Sequence, residues 1–202
     1  MTLGPAYFDA MYAASPDPWG FAERWYEQRK HALSVAMLPR RAYAGAFEPG
    51  CSIGVLTGLL AARCGRLLSC DLAGAAVRAA AERTRGLPNV RVERRSIPDD
   101  WPPGEFDLIV LSEFLYYFGG ADLDRVLDLA VKSTRDGGTL LAVHWLHPVA
   151  EYPSGGEEVH GRLAARAGIA RLAQHRERDF LAEVYIRTDG EPRSVAQSTG
   201  LV

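Results

Sequence analysis

Short apolar runs alternate with segments of helical spacing along the chain from about Gly45 onward. Five runs are predicted to be strands: AYAGAF, which leads up to Glu48, and residues 66–71, 90–95, 106–114 and 139–146. The helices predicted between them cover residues 54–63, 74–86 and 123–138, and the last one closes in an Asp-Gly-Gly turn. Strands that alternate with helices in this way favour an α/β fold with a doubly wound, mostly parallel sheet.

The pattern changes after the fifth strand, where a helix at about 156–167 leads into two strand-like runs. These runs, ARLAQHRE and FLAEVYIRT, are almost continuous, which predicts an antiparallel hairpin at one edge of a seven-stranded sheet. We predict three regions: an N-terminal helical lid segment (1–40), the sheet-forming core (41–190) and a flexible tail (191–202) without a core-forming period.

Composition narrows the class of protein. The 202 residues are 48% apolar and 24% charged, with a net charge of −2, which is typical of a globular domain and gives no basic face for nucleic acid. No apolar run approaches the ~18 residues of a membrane span, and the N-terminus does not resemble a signal peptide. The three cysteines, Cys51, Cys64 and Cys70, form no Cys-x-x-Cys pair, so we expect reduced thiols and a cytoplasmic protein.

The loop after the first strand reads EPGCSIGVLTG, and it departs from the dinucleotide pattern G-x-G-x-x-G. Gly50 is followed by a glycine only at Gly54, and Ser52 stands where the middle glycine belongs. Glu48 precedes the loop and would oppose a pyrophosphate at the helix N-terminus, which argues against a nicotinamide cofactor. S-adenosylmethionine carries a sulfonium and an ammonium but no phosphate, so an acid at this position favours it. Alternatively, the spaced glycines serve only to pack a helix on a strand.

In a doubly wound sheet, ligands bind beyond the carboxyl ends of the strands. Asp71 ends the second strand, 21 residues after Gly50, which suits a carboxylate that binds a ribose diol. Ser96 and Ile97 follow the third strand and could flank an adenine. The remaining candidates at strand ends are Ser112, Glu113, Tyr116 and Tyr117 after the fourth strand, and His144, Trp145 and His147 after the fifth.

Four segments, EPGCSIGVLTGLLA, CDLAGAAVRAA, FDLIVLSEFLYYF and DGGTLLAVHW, resemble the Rossmann-like class I S-adenosylmethionine-dependent methyltransferases. The run SEFLYY, together with DPW near the N-terminus, is similar to the nodulation-protein-S family, named for an N-methyltransferase of the amino-sugar end of a chitooligosaccharide. The resemblance implies that Glu48, Gly50 and Gly54 lie on the methionine side of the cofactor, Asp71 on its ribose and Leu72 on its adenosine. Ser96 replaces the family's usual carboxylate after the third strand, and Asp99 or Asp100 could substitute for it.

The segment DPWGFAERWYEQRK at 17–30 allows two interpretations. A helix over 21–38 would place Phe21, Trp25, Ala32, Leu33 and Ala36 near one stripe, and it could simply lie on the sheet edge. As a lid, it would bring Arg29 or Lys30 to the cofactor carboxylate and Trp19 or Tyr26 to the sulfonium. The full set of expected cofactor-binding residues is Trp19, Tyr26, Arg29, Glu48, Gly50, Cys51, Gly54, Asp71, Leu72, Ser96, Ile97, Ser112 and Glu113.

An amine must be neutral to accept a methyl group, so a nearby histidine could act as a base. His144, His147 and His160 are the candidates, with His144 preferred because it ends the fifth strand. Tyr116 or Tyr117 could line the acceptor pocket, and Glu151, Glu157 or Glu158 in the following loop and helix could pair with a cationic amine. No predicted helix places two of these histidines in register, so we expect no metal.

The favoured function is methylation of a small molecule at an amine nitrogen, such as that of an amino sugar, with S-adenosyl-L-methionine as cofactor. Two alternatives remain open on the same scaffold: O-methylation of a sugar or phenolic metabolite, and a catalytically silent subunit that binds the cofactor and partners another enzyme. A small-molecule acceptor is expected as the partner, without nucleic acid or membrane.

Overall fold

The computed structural model describes residues 1–202. Its helices are α1 (Pro5–Ala14), α2 (Trp25–Ala36), α3 (Val55–Ala61), α4 (Gly74–Arg83), α5 (Gly120–Ser133), α6 (Gly156–Ala164) and α7 (Val195–Ser198), with a 3₁₀ turn at Leu115–Tyr117. Its strands are β1 (Ala46–Pro49), β2 (Leu67–Asp71), β3 (Val90–Arg94), β4 (Phe106–Ser112), β5 (Thr134–Trp145), β6 (Ile169–Arg176) and β7 (Phe180–Arg187). No helix combines the length and the apolar character that crossing a membrane requires.

All seven strands form one sheet in the order β3-β2-β1-β4-β5-β7-β6. The strands from β3 to β5 are parallel, whereas β7 runs antiparallel to both β5 and β6. The α/β fold class, the mostly parallel sheet and the antiparallel edge hairpin are therefore confirmed. The chain winds outward from β1 to β3 and then returns to the other side of β1 with β4, so the strand order switches between β1 and β4. This switch point is where doubly wound sheets bind their ligands.

Strand β4 carries the centre of the core. Its residues Leu108–Leu111 are fully buried, because helices cover both faces of the sheet. Ile109 and Leu111 pack on one face with α5, while Leu108 and Val110 pack on the other face with α3. The continuous apolar run in the sequence is thus explained by burial on two sides.

The boundary between α5 and β5 differs from the prediction. Helix α5 ends at Ser133, and β5 already begins at Thr134 rather than at 139. Thr134 is in an extended conformation and pairs with Phe106, and the register shifts before Leu108. The Asp-Gly-Gly segment therefore forms an irregularity within the strand, with Gly137 at φ +69°, rather than the end of a helix.

The N-terminal region forms two helices, where the sequence predicted one over 21–38. Helix α1 was not predicted; it begins at Pro5, which fits the first turn of a helix, and it carries Phe8 and Tyr12 one turn apart. Helix α2 begins at Trp25, because residues 21–23 form a turn held by the Asp17 carboxylate.

Helix α2 buries a polar face, so the predicted apolar stripe is wrong at Trp25, which is 73% exposed. The buried residues of the helix are Glu27, Lys30, His31 and Ser34. Lys30 Nζ lies 3.0 Å from a carboxylate oxygen of Glu27 and 2.7 Å from one of Glu113. These two carboxylates compensate the charge of the buried ammonium, which has no access to water. This ion-pair network, rather than apolar contact alone, determines which side of α2 faces the sheet.

The segment predicted as a tail contains α7. Ser194 Oγ accepts a hydrogen bond from the Gln197 amide, and the Gln197 side chain accepts one from the Ser194 amide. This capping box satisfies two amide donors at the start of a one-turn helix.

Candidate active site

A cavity of about 330 Å³ lies at the carboxyl ends of β1, β2 and β4, beside the switch in strand order. The predicted site residues that line it are Trp19, Glu48, Gly50, Cys51, Asp71, Leu72, Ser96, Ile97, Ser112, Glu113 and Tyr117. Other lining residues come from the N-terminal region and were not predicted: Thr2, Leu3, Gly4, Pro5, Phe8, Tyr12, Phe21 and His31. The segment before and within α1 therefore covers a site that the strand ends build.

The two glycines of the loop have different roles. Gly50 lines the cavity at φ +74°, and a Cβ there would come 2.7 Å from the Phe114 ring. Gly54 caps α3 at φ +78° and does not line the cavity; its Cβ would come 2.9 Å from the Ala80 Cα. The interpretation that the glycines serve only for packing therefore applies to Gly54, which lets α3 approach α4. Gly50, in contrast, forms part of the cavity wall.

Ser52 and Asp71 hold the loop in place. Ser52 adopts φ +49°, unusual for a residue other than glycine, and its amide donates to Asp71 Oδ2 at 2.9 Å. Asp71 Oδ1 accepts from the Ala73 amide at 2.9 Å. Burial raises the pKa of Asp71, although these backbone hydrogen bonds lower it. Each carboxylate oxygen keeps a further lone pair, so the group can still accept hydrogen bonds from a diol.

Glu48 was expected to stand ionised at the mouth of the site, and the structure corrects this. It is only 2% exposed, and its Oε2 accepts hydrogen bonds from Thr57 Oγ1 at 2.6 Å and Ser69 Oγ at 2.7 Å. Burial raises the pKa of Glu48 to about 7, against the effect of the two hydroxyls. Glu48 therefore forms part of the inner wall of the cavity, and a pKa of about 7 means that its carboxyl gains or loses its proton near neutral pH.

The lining is rich in carboxylates, which are contributed by Glu48, Asp71, Asp99, Glu113 and Asp122. Arg95 is the one arginine in the lining, and its Nε is bound to Glu93 at 2.7 Å. Lys30 also pairs with Glu113, but the acids of the wall still outnumber the nearby bases, and the resulting negative potential attracts cations and repels phosphates.

The structure does not bring Tyr26 and Arg29 to the cavity. The Tyr26 ring packs edge-on against Trp145 at 5.6 Å, and both Arg29 terminal nitrogens bind the half-buried Glu177 carboxylate at 2.7 and 2.8 Å. Of the predicted lid residues, only Trp19 lines the cavity. The reason is the polar buried face of α2, which turns Arg29 toward β6 and β7.

None of the three predicted histidine bases lines the cavity. His144 is fully buried; its Nε2 accepts from the Leu115 amide at 3.2 Å, and its Nδ1 lies 3.1 Å from His160 Nε2. His160 Nδ1 in turn lies 2.7 Å from Glu183 Oε2. His147 is exposed, with its Nε2 2.7 Å from Asp179 Oδ1. Burial and the neighbouring His160 hold the pKa of His144 well below its usual value, so it links the 3₁₀ turn to β7 as a neutral imidazole.

Tyr117 is the predicted catalytic-site residue that does reach the cavity. Its ring meets Phe8 of α1 edge-on at 5.0 Å, and its hydroxyl lies 3.4 Å from that of Tyr152. Tyr116 donates to Glu113 instead. The loop and helix carboxylates Glu151, Glu157 and Glu158 do not line the cavity, and neither does Asp100.

His31 provides the imidazole among the N-terminal lining residues, and it was not predicted from the sequence as a site residue. It is 4% exposed, lines the cavity and packs its ring 5.9 Å from that of Phe21. A signal was present, because Glu27, Lys30, His31 and Ser34 follow the i, i+3, i+4, i+7 spacing of one helix face. That spacing is normally sought among apolar residues, and here it marks a polar face turned inward. No group of three or more His, Cys, Asp or Glu side chains is arranged to hold a metal ion.

Comparison with solved structures identifies the fold as the Rossmann-like methyltransferase fold. A candidate methyltransferase from Pseudomonas syringae is 44% identical, with a TM-score of 0.73 over 81% of this chain and 100% of that chain. The N-methyltransferase NodS from Bradyrhizobium japonicum, solved in complex with S-adenosyl-L-homocysteine, is 24% identical, with a TM-score of 0.80 over 91% of this chain and 97% of that chain.

Sequence comparison places the chain more narrowly. The family model described as Nodulation protein S (NodS) matches residues 11–140, which is more than half of the chain. Nodulation protein S of Rhizobium tropici is 32% identical over 137 residues, which make up 63% of this chain and 55% of the relative. The chain thus spans about half the length of the curated relatives it matches. The chain belongs to the nodulation protein S family.

Proposed function

We propose that this protein transfers a methyl group from S-adenosyl-L-methionine to an amine nitrogen of a small molecule, with an amino sugar as the favoured acceptor. The observation that carries the proposal is the acid-rich cavity at the switch point, with Glu48 in its wall and a loop that lacks the middle glycine of a pyrophosphate site. Membership of the nodulation protein S family supports it, as does the fold shared with an N-methyltransferase that binds S-adenosyl-L-homocysteine.

The lining residues suit the cofactor part by part. Asp71 has free lone pairs for the ribose hydroxyls, and Leu72 and Ile97 provide apolar surface for the adenine. Asp99 also lines the cavity and could accept from the adenine amine in place of the Ser96 position. Glu48 Oε2 is bound to two hydroxyls, which leaves Oε1 for a cation. Once bound, the cofactor supplies a methyl group on a positively charged sulfur; the protein supplies orientation and exclusion of water.

An amine acceptor fits this cavity because its lining combines carboxylates with aromatic rings. The carboxylates of Asp122 and of Glu113, which is paired with Lys30, line it together with the rings of Phe8, Tyr117 and Phe118. Carboxylates attract an amine before it loses its proton, and aromatic faces stabilise a nearby cation by ~0.5–2 kcal/mol. An acceptor with only hydroxyl groups would gain less from this combination.

Calorimetric titration with S-adenosyl-L-methionine and with NAD tests the cofactor. We expect binding of the first and none of the second, and Asp71→Asn should weaken binding by about tenfold or more, because it removes a charged hydrogen-bond acceptor. Asp128→Asn, on the exposed face of α5, is the matched control and should bind as the wild type does. Binding of NAD alone would refute the proposal.

A panel of amines and alcohols with methyl-labelled cofactor tests the acceptor. Mass gained by amines supports N-methylation; mass gained only by alcohols or phenols would replace it by O-methylation. Cofactor binding without turnover of any compound would favour the silent-subunit alternative.

A further inference from the structure

One of the five histidines differs from the rest in its surroundings. His31 Nδ1 is buried and has no hydrogen-bond partner. Each of the others has one: the His144 and His160 rings bind each other, His147 binds Asp179, and His175 binds Glu177. A buried polar atom without a partner costs ~1–3 kcal/mol, and the residue that carries this one lines the cavity, which points to a ligand that satisfies the imidazole.

His31 lies at the end of a row of rings that forms one wall of the cavity. The Tyr12 and Trp19 centroids are 5.8 Å apart, Trp19 stacks on Phe21 at 5.7 Å, and Phe21 meets His31 at 5.9 Å. At the other end of the row, the Tyr12 hydroxyl lies 2.6 Å from Ser52 Oγ in the cofactor loop. The row therefore leads from the loop that is proposed to hold the sulfonium cofactor to an unpartnered imidazole.

Burial and the neighbouring Lys30 keep the His31 ring neutral. Burial and the neighbouring Lys30 ammonium lower the pKa of His31 to about 4, although the Glu113 carboxylate opposes them. At neutral pH the ring thus offers a lone pair and does not repel a cation in the same cavity. With so low a pKa it is a weak proton acceptor, which suits a hydrogen-bond acceptor better than a general base.

We propose that the imidazole of His31 accepts a hydrogen bond from the N–H of the acceptor amine and so directs the nitrogen lone pair at the methyl carbon. This inference rests on the proposed function. The nitrogen lone pair forms the new N–C bond while the C–S bond breaks, and the electron pair of that bond stays on sulfur as a neutral thioether. The proton in excess on the methylated nitrogen passes to water. His31 contacts the acceptor and orients it throughout.

Two substitutions separate this role from a structural one. His31→Phe keeps a flat ring without an acceptor atom, whereas His31→Gln keeps an acceptor oxygen. With glucosamine as acceptor, we expect His31→Phe to lower kcat/KM by about 10- to 100-fold and His31→Gln to retain most of it, since misplacement of a reactant costs up to ~10²-fold. Affinity for S-adenosyl-L-homocysteine should stay within about twofold in both. His175→Gln, at a half-buried histidine that is bound to Glu177 and does not line the cavity, is the control and should leave turnover unchanged.

The pH profile and a direct spectroscopic readout complete the test. Between pH 6 and 9 the shape of the kcat/KM profile should be the same in wild type and His31→Gln; loss of an acid limb in the variant would show a base and overturn the inference. In protein with ¹⁵N-labelled histidine and bound S-adenosyl-L-homocysteine, glucosamine should shift the His31 nitrogen resonances. No shift, or equal turnover in all three proteins, would overturn it too. A wild-type protein that binds no cofactor would instead refute the proposed function.

Discussion

The hydroxyl of Tyr12 lies 2.6 Å from that of Ser52, so helix α1 is hydrogen-bonded to the loop that follows β1. Ser52 occupies the position of the middle glycine in the dinucleotide pattern, at φ +49°. Ser52 thus stands where a pyrophosphate site requires glycine, and its hydroxyl also binds helix α1, which covers the cavity.

Loss of this hydrogen bond should loosen the cover. Tyr12→Phe and Ser52→Ala should each weaken S-adenosyl-L-homocysteine binding by about 3- to 10-fold, the equivalent of a ~0.5–1.5 kcal/mol hydrogen bond. Amide hydrogen exchange in α1 should become faster in both. The double variant should be no weaker than either single one, because the two side chains share one interaction. Additive losses would show that they act separately.

Glu48 should make cofactor affinity depend on pH. Burial raises the pKa of its carboxyl to about 7, and a bound cation favours the deprotonated form. Affinity should therefore rise by about tenfold in all between pH 6 and pH 8 and level off above the pKa, with release of a proton that calorimetry in buffers of different ionisation heat can count. Glu48→Gln should abolish this dependence and bind weakly at both pH values. A pH dependence that survives in the variant belongs to another group.

The same carboxyl affects folding in the opposite direction. Its folded pKa lies above the unfolded value, so the protonated form favours the folded state. The stability that Glu48 contributes is greatest below its unfolded pKa and decreases as the pH rises toward about 7. Denaturant titration at pH 5 and pH 7.5 should show a smaller decrease in Glu48→Gln than in the wild type.

His144 should act by position and not as a base. In His144→Phe, the Leu115 amide and His160 each lose a buried partner, so unfolding free energy should fall by ~1–3 kcal/mol. Turnover should fall as the 3₁₀ turn that contains Tyr117 shifts, while the shape of the pH–rate profile stays unchanged. A profile that loses its acid limb in this variant would restore His144 as the base.

The chain contains two lysines, which provide a matched comparison. Lys30 is buried between Glu27 and Glu113, whereas Lys132 is exposed on α5. Lys30→Met should lower the unfolding free energy by ~3–5 kcal/mol, because it leaves carboxylates buried without a counter-charge. Lys132→Met should change it by less than ~0.5 kcal/mol. Urea unfolding monitored by circular dichroism distinguishes the two; equal effects would mean that the buried carboxylates are protonated.

The sheet could be predicted because its strands are strongly patterned. The run 106–114 is apolar throughout, and its strand is covered on both faces. The cofactor side of the site followed from topology, since Asp71 ends β2 and Ile97 lies shortly after β3, and the ends of these parallel strands meet at one edge. These inferences need only chain order and the parallel direction of the strands.

The acceptor side could not be predicted in the same way, because it depends on side-chain orientation and on the packing of α1 and α2. His144 ends the correct strand, yet it points to His160 on α6 rather than into the cavity. Lys30 was predicted as a possible cofactor ligand, but its ammonium group forms ion pairs with the carboxylates of Glu27 and Glu113. The inward orientation of the polar face of α2, which contains His31, depends on the ion pair between Lys30 and Glu113. These two residues are 83 positions apart, so the helix sequence alone does not show the pairing.

The carboxylates that line the cavity affect release of the cofactor product after turnover. On the proposed function, the donor enters with a positive sulfur and leaves with an uncharged one, while the acids around it remain as they were. Their hold is therefore weaker on the spent molecule than on the fresh one. The carboxylates that favour binding of the cationic cofactor thus also limit how strongly its uncharged product can inhibit the next turnover.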